Sequence, residues 1–136
     1  MNLTSIPKVV SEAVTEGVRV RVRSQYLPER SSVPNRQYAF AYTIRISNES
    51  SRTVQLRARH WIITHGDGHM EEVRGPGVVG EQPLLKTGDS FEYTSGCVLG
   101  TSRGSMKGTY LMVTPDGEAF EATIAEFALE LPHTLN

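Results

Sequence analysis

The sequence predicts an all-β sandwich, and three observations lead to this fold class. Apolar and polar side chains alternate with a period of two in several segments, which places them on opposite faces of strands. Glycine and proline separate these segments at short intervals. Helical periodicity is confined to one short candidate, Ile6 to Val14, ahead of the first strand. These features predict about seven or eight antiparallel strands, stacked as two sheets or closed into a small barrel.

The first half of the chain contains the clearest strands. In segment 17–23, three valines point one way and three arginines the other, as expected for a half-buried strand. Segment 38–47 repeats this pattern, and its predicted core face consists of Phe40, Tyr42, Ile44 and Ile46. In segment 53–64, the same parity gives one face made of Val54, Leu56, Ala58 and Ile62. The opposite face would then carry Arg57, Arg59, Trp61 and Ile63.

The second half predicts shorter strands joined by strong turn signals. The remaining strands are expected at 70–74, 90–97, 109–114 and 118–130. Turns are expected at Gly66-Asp67-Gly68, 86–89 and Pro115-Asp116-Gly117. Long loops are expected at 75–83 and 98–108, which are rich in glycine. A phase change in the last strand predicts a β-bulge near Ala125.

Length and composition set the class of protein. The 136 residues suit one domain, residues 1–136, in which residues 1–15 would form an N-terminal arm. The formal net charge of -1 gives no overall field that attracts nucleic acid. No apolar run approaches the roughly 20 residues that cross a bilayer, and a single cysteine, Cys97, fits a reducing compartment. We therefore expect a cytoplasmic protein that binds neither nucleic acid nor membrane.

One segment matches the G-x-G-x-x-G pattern of dinucleotide sites through Gly75, Gly77 and Gly80. In a Rossmann unit these glycines open a helix, whereas here β-branched residues and Pro83 follow. A nucleotide-binding fold is therefore not expected. Two interpretations remain: a nest of backbone amides that binds an anion, and a rigid loop that crosses between sheets, which we favour.

Histidines and one cysteine are the other candidates for chemistry. His65 and His69 flank Asp67 at the predicted hairpin tip and would make at most an open, weak metal site, so we expect Asp67 only to shape the turn. His60 is in phase with apolar residues of its strand and is expected to face the core. Cys97 follows two aromatic residues on an apolar face, which is typical of an inert thiol rather than a nucleophile with His60 as its base. The sequence predicts no catalytic residue, no metal site and no cofactor.

Three arginines, Arg19, Arg21 and Arg23, form a stripe on one strand face. They could bind an acidic partner or pair with glutamates on neighbouring strands. The balanced total charge favours pairing within the chain, for which candidate partners are Glu71, Glu92 and Glu121.

Four stretches of the sequence resemble the ApaG family. They are His60-Trp61-Ile62-Ile63, Val73 to Pro83, Phe91 to Cys97 and Gly104 to Gly108. The ends of the chain, Gly17-Val18-Arg19-Val20 and Ile124 to Leu129, are similar to that family as well. The resemblance implies an immunoglobulin/fibronectin type III-like sandwich. It also implies that Gly75, Gly77 and Gly80 are the family's glycine motif.

The functions associated with this family are diverse. The resemblance implies a link to cobalt resistance, magnesium efflux and a diadenosine tetraphosphate operon, and similar eukaryotic domains appended to larger proteins suggest protein interaction. His65 and His69 depart from the family's hairpin, which weakens a metal hypothesis. Ala125 stands where proline is common, which puts the predicted bulge in question.

The favoured hypothesis is a non-enzymatic protein-interaction module, with a protein partner or a second copy of the chain. Its recognition surface would include Trp61, Val78 and Val79 beside the glycine segment. The alternative is a small-ligand sensor that binds pyrophosphate, a nucleotide or a divalent cation through the loop Gly75 to Gly80. An enzyme ranks last, because the sequence offers no carboxylate cluster for a catalytic metal.

Overall fold

The structure, a computed structural model, describes residues 8–132, which form nine strands and two short 3-10 helices. The strands are β1 Lys8–Thr15, β2 Val18–Tyr26, β3 Tyr38–Asn48, β4 Val54–His65, β5 Met70–Pro76, β6 Leu84–Leu85, β7 Ser90–Leu99, β8 Arg103–Val113 and β9 Ala119–Glu130. The 3-10 helices lie between β2 and β3, at Pro28–Arg30 and Val33–Asn35. No helix in the described part of the chain is long and apolar enough to cross a membrane.

The strands build two antiparallel sheets. The first has the order β1-β2-β3-β7, and the second has the order β5-β4-β8-β9, with β6 paired to β4. Apart from β1 and β6, this is the strand order of an immunoglobulin/fibronectin type III-like sandwich, which confirms the predicted fold class. At one side the sheets meet, and the amide of Thr123 in β9 donates to the hydroxyl of Thr15 in β1 at 3.0 Å. At the other side β5 and β7 leave a cleft between the sheets.

The core lies between the sheets and is centred on aromatic side chains. Trp61 of β4 packs against Tyr42 of β3, with ring centroids 5.4 Å apart, and against Phe127 of β9, at 6.0 Å. The hydroxyl groups of Tyr93 and Tyr110 hydrogen-bond to each other across the sandwich. Burial of both phenols raises the pKa of each above its ordinary value, so both remain neutral donors and acceptors inside the core.

The alternation predicted for β2 and β3 is confirmed. The inward residues of these strands are buried: Val18, Val20, Val22, Phe40, Tyr42, Ile44 and Ile46. The pairing of β2 with β3 runs without a register shift over its whole length. An uninterrupted ladder keeps odd and even positions on opposite faces of the sheet. The alternation in the sequence therefore predicted the buried face correctly.

The prediction for β4 is correct at its start and wrong beyond Arg57. Leu56 pairs with Met112 but Ala58 pairs with Leu111, so Arg57 is an extra residue in the strand, a β-bulge. The bulge reverses the parity that follows. Trp61, expected on the outer face, is therefore only 3% exposed. His60, expected to face the core, turns outward and lies 3.3 Å from a carboxylate oxygen of Glu72.

Two further expectations are wrong. Residues 8–14 of the predicted helical segment belong to strand β1, which pairs with β2. Ile6 and Pro7 lie outside the described residues, as do all of residues 1–7 of the predicted N-terminal arm. The expected loop at 98–108 contains the end of β7 and the first half of β8. Two of the glycines that suggested a loop, Gly104 and Gly108, lie inside β8, because its backbone approaches that of β4 closely there.

The predicted bulge near Ala125 is confirmed. Met106 pairs with Phe127 and Gly108 pairs with Ile124, so β9 has one residue more than β8 between these pairs. The extra residue lets Ile124 and Phe127, which have opposite parity, both enter the core.

The arginine stripe pairs within the molecule, as favoured. Arg19 hydrogen-bonds to Glu12 and Glu49, and Arg21 lies 3.3 Å from Glu12. Arg23 lies 3.9 Å from Glu92, one of the expected partners. The other two expected partners, Glu71 and Glu121, lie on the second sheet, in β5 and β9.

Gly108 offers a test of the close approach between β4 and β8. A Cβ atom at Gly108 would overlap the carbonyl oxygen of His60, which is backbone and cannot rotate away. We expect Gly108→Ala to lower the free energy of unfolding by about 1–3 kcal/mol or more, measured by urea denaturation. Gly96→Ala is the matched control, since its Cβ would make an ordinary contact of 3.5 Å with the carbonyl of Phe40. Equal effects of the two substitutions would contradict the close approach.

The ion pairs of Arg19 predict an acid-dependent stability. The hydrogen bonds from Arg19 lower the pKa of Glu12 and of Glu49 below their ordinary value of 4.5. Because the folded pKa is the lower one, this stabilisation is complete above about pH 4.5 and is lost as the pH falls through the folded pKa. The stability difference between the wild type and Arg19→Met should therefore shrink on acidification, in thermal melts from pH 7 to pH 3.

Arg45→Met is the control for this experiment, since Arg45 lies on the same sheet face and its ion pair with Glu92 spans 3.7 Å without a hydrogen bond. Its stability difference from the wild type should vary less with pH. A difference for Arg19→Met that stays constant from pH 7 to pH 3 would refute the assignment.

Candidate functional site

The glycine segment forms a tight turn and opens no helix. The amide of Val78 donates to the carbonyl of Glu81, and the amide of Glu81 donates back to Val78, each at 2.8 Å. Val79 and Gly80 between them both have positive φ, 43° and 81°. Positive φ at both central positions is typical of the primed turns that join antiparallel strands. The segment is thus a two-residue turn, which agrees with the exclusion of a Rossmann unit.

The β-bulge in β4 holds this segment in place. The carbonyl of Arg57, the bulged residue, accepts the amide of Gly77 at 2.8 Å and the side-chain amide of Gln82 at 3.2 Å. A Cβ at Gly77 would overlap the carbonyl of Glu81, so a larger residue does not fit. The amides of Gly77 and Val78 are therefore occupied inside the chain. They do not contribute to a nest of amides that could bind an anion.

Two carbonyl oxygens of the glycine segment bind the guanidinium group of Arg59. One nitrogen of the Arg59 guanidinium donates to the carbonyls of Pro76 and Gly77, at 3.0 Å each. A Cβ at Gly75 would lie 3.1 Å from that guanidinium group, so glycine leaves the room that Arg59 occupies. The three glycines of the motif have separate positions: Gly75 beside Arg59, Gly77 at the bulge and Gly80 in the turn.

Of the three residues expected to bind a partner, only Val79 is exposed. Trp61 and Val78 are 3% and 1% exposed and belong to the core, which corrects their assignment as partner-binding residues. Trp61 is buried because of the bulge, and Val78 belongs to the hydrophobic core cluster. Val79, at the turn tip, is 56% exposed and remains available to a partner.

The cleft between the sheets opens at the side of β5 and β7. It encloses about 290 Å³, and its lining residues include Tyr42, Arg59, Trp61, Val73, Cys97 and Met106. Burial raises the pKa of Tyr42 and raises the pKa of Cys97 to about 11. A thiol with that pKa is protonated at neutral pH, which lowers its reactivity as a nucleophile. Its suggested base, His60, faces outward on the second sheet.

Strand β7 forms one border of this cleft and is an open sheet edge. Among the described residues it pairs only with β3, so its other side presents unpaired backbone groups. Its second half, Thr94–Leu99, contains no charged residue. Val98 in this half is 59% exposed.

Apart from β6, which has only two residues, the other edge strands carry charges. The side chains concerned are Lys8 and Glu12 on β1, Glu71, Glu72 and Arg74 on β5, and Glu121, Glu126 and Glu130 on β9. Charges on an edge strand oppose pairing with another chain. The second half of β7 is therefore the edge segment best suited to accept a further strand.

The histidine hairpin is organised by hydrogen bonds that oppose metal binding. His65, His69 and Glu71 place their possible ligand atoms within 4.8 Å of one another. However, Nδ1 of His65 accepts the amide of Gly100 at 3.1 Å, so Nε2 carries the proton in the neutral ring and donates to Glu71 at 2.7 Å. A metal ion on Nε2 would require the proton to move to Nδ1, where it would face the Gly100 amide.

Asp67, the third residue of the metal hypothesis, accepts the amide of His69 at 3.0 Å. It thus shapes the turn, as predicted. His65 is a structural residue that joins the hairpin to the end of β7.

Fold and site together define a class of protein: a β-sandwich of the immunoglobulin/fibronectin type III type with one uncharged open edge. Residues 28–114 match the family model described as the ApaG domain, and the chain belongs to that family. It is 54% identical over 120 residues to the protein ApaG of Rhodospirillum centenum, covering 88% of this chain and 92% of the relative.

Another relative and two solved structures support the same family assignment. The protein ApaG of Anaeromyxobacter dehalogenans is 55% identical over 127 residues, covering 93% of this chain and all of the relative. A crystal structure assigned to the ApaA protein from Bordetella pertussis superposes with a TM-score of 0.83 at 50% identity, covering 93% of this chain and 100% of that one. A second X-ray structure superposes with a TM-score of 0.82 at 44% identity, covering 88% of this chain and 90% of that one.

The conformation of Val79 gives a test of the turn. A β-branched residue at a φ of 43° is strained, whereas asparagine adopts positive φ more easily. We expect Val79→Asn to raise the free energy of unfolding by about 1 kcal/mol in chemical denaturation. Val98→Asn, at an exposed valine within β7, is the control and should give no gain, because asparagine is disfavoured in strands. The same change in stability at both positions would argue against the strained turn.

Proposed function

We propose that this chain is a non-enzymatic protein-interaction module that binds an extended segment of a partner protein as an additional strand along β7. The observation that carries the proposal is the uncharged, unpaired edge Thr94–Leu99. An added strand gains main-chain hydrogen bonds from such an edge, and neighbouring pockets select its side chains.

Two cavities beside the edge support side-chain recognition. The inter-sheet cleft of about 290 Å³ lies on one side of Gly96–Val98, and a second cavity of about 210 Å³ reaches the same three residues. The second cavity is lined by Leu27, Arg30, Ala39 and Phe40 as well. Side chains of an extended peptide alternate between two faces, so successive residues of a bound segment would meet different cavities.

The chemistry of the cleft supports binding rather than catalysis. The Tyr42 hydroxyl and the Cys97 thiol have raised pKa values and stay protonated at neutral pH. The Arg59 guanidinium is held by carbonyl groups. These groups offer hydrogen bonds and apolar contact without an activated nucleophile. The single cysteine supports a cytosolic setting for this function, and a second copy of the chain offers the same uncharged edge for self-association.

The proposal can be tested with peptides selected from a displayed library of random linear sequences against the folded chain. Gly96→Lys/Val98→Lys adds charges to the β7 edge, where both side chains have room. We expect selected peptides to bind this variant about tenfold or more weakly than the wild type in calorimetry.

Val9→Lys/Val14→Lys is the matched control, because both valines are exposed on β1, the opposite edge of the same sheet. It should bind the peptides as the wild type does, and thermal melts should show that both variants fold. Failure of the library to give any binder, or equal affinity of its peptides for both variants, would overturn the proposal. Sedimentation of the wild type and the β7 variant measures whether a second copy uses the same edge.

A further inference from the structure

A separate cavity lies on the outer face of the second sheet, whereas the β7 edge belongs to the first sheet. It encloses about 500 Å³, within the usual range for small-molecule sites. Its centre is Ala58, whose cross-strand neighbours are Pro76 on β5 and Leu111 on β8. The next outward residue along β4, His60, has Arg74 and Thr109 as neighbours. A methyl group ringed by longer side chains leaves a depression, which we name the Ala58 cavity.

The Ala58 cavity is positively charged at its rim. Arg57, aimed here by the bulge, and Arg74 both line it. Within residues 8–132, neither of their guanidinium groups takes part in an ion pair. By contrast, Arg59 also lines the cavity but its guanidinium is held by two carbonyl groups. One carboxylate, Glu121, lies in the lining.

The floor of the cavity is apolar. Ala58, Pro76 and Leu111 form it, and Thr109 adds a hydroxyl group. An exposed apolar surface can pack against a ring. Guanidinium groups bind phosphate oxygens through paired hydrogen bonds. Leu111 is 37% exposed for a large apolar residue, so the floor has surface to lose to a ligand.

We propose that the Ala58 cavity binds a small phosphate monoester that carries a planar ring. Arg57 and Arg74 hold the phosphate, and the ring lies over Ala58 and Leu111. The glycine segment lines the cavity with Gly75 and Pro76, rather than with a cradle of amides. This site is independent of strand addition at β7, because the cavity and the β7 edge belong to different sheets.

Amide chemical shifts and calorimetry test this assignment with three probes: AMP, phenyl phosphate and inorganic phosphate. We expect both esters to shift the amides around Ala58, Arg74 and Leu111, and to bind more tightly than inorganic phosphate, because the floor contacts the ring. Equal binding of phenyl phosphate and inorganic phosphate would overturn the role of the ring. Shifts confined to other parts of the chain would overturn the site.

Three variants separate the charges. Arg57→Gln/Arg74→Gln should weaken the esters about tenfold or more, whereas Glu121→Gln should tighten them several-fold by removing a repelling carboxylate. Arg36→Gln, at an exposed arginine outside the cavity lining, is the control and should change nothing. Unchanged affinity in the double variant would contradict the proposal. Thermal melts of each variant show that the fold is retained.

Discussion

The β-bulge at Arg57 is the constraint on which the rest of the molecule depends. One extra residue in β4 reverses the side-chain parity of the strand. Trp61 thereby enters the core, where it contacts aromatic residues of both sheets. The same step turns His60 outward. Without the bulge, the largest side chain of the chain would face away from the sandwich.

The bulge also connects the core to both candidate sites. The carbonyl of Arg57 anchors the glycine segment through Gly77 and Gln82, which positions the carbonyls that hold Arg59 at the cleft. On the opposite face, the side chain of Arg57 borders the Ala58 cavity. A bulge next to a functional site is a recurring arrangement, because it re-aims side chains while the strand continues.

The two sides of the sandwich differ for a physical reason. At one side β1 contacts β9, and both strands carry charges that discourage further pairing. At the other side, β7 and β5 border a cleft. Burial raises the pKa of the Tyr42 hydroxyl and of the Cys97 thiol in this cleft, so both stay neutral. The uncharged half of β7 lies beside that cleft, so main-chain pairing and side-chain recognition are available in the same place.

Much of the fold could be predicted from the sequence, because β2 and β3 form a regular ladder whose parity is visible in the residues. The bulge in β9 could be predicted too, since apolar residues of both phases, Ile124 and Phe127, mark it. The bulge in β4 could not, because Arg57 has no property that distinguishes a bulged residue from its neighbours. Gly104 and Gly108 were misinterpreted as loop residues, because close backbone approach and loop formation both favour glycine.

The candidate site was predicted less well than the fold. The glycine segment was visible as a motif, but its partner Arg59 is brought to it by tertiary structure. The role of β7 as an edge depends on strand order, which no local pattern contains. Val79 is the one residue of the predicted partner surface that is exposed, because it lies at the tip of a turn. Gly80 in that turn is visible in the sequence.

Trp61 is the single tryptophan of the chain, so its fluorescence tests the bulge directly. With the bulge, the indole lies in the core. The emission of the folded protein should then be blue-shifted from that of the unfolded chain and resist quenching by iodide. Without the bulge, Trp61 would share the outer face with Arg57. Emission that matches the unfolded chain, with full quenching by iodide, would contradict the account.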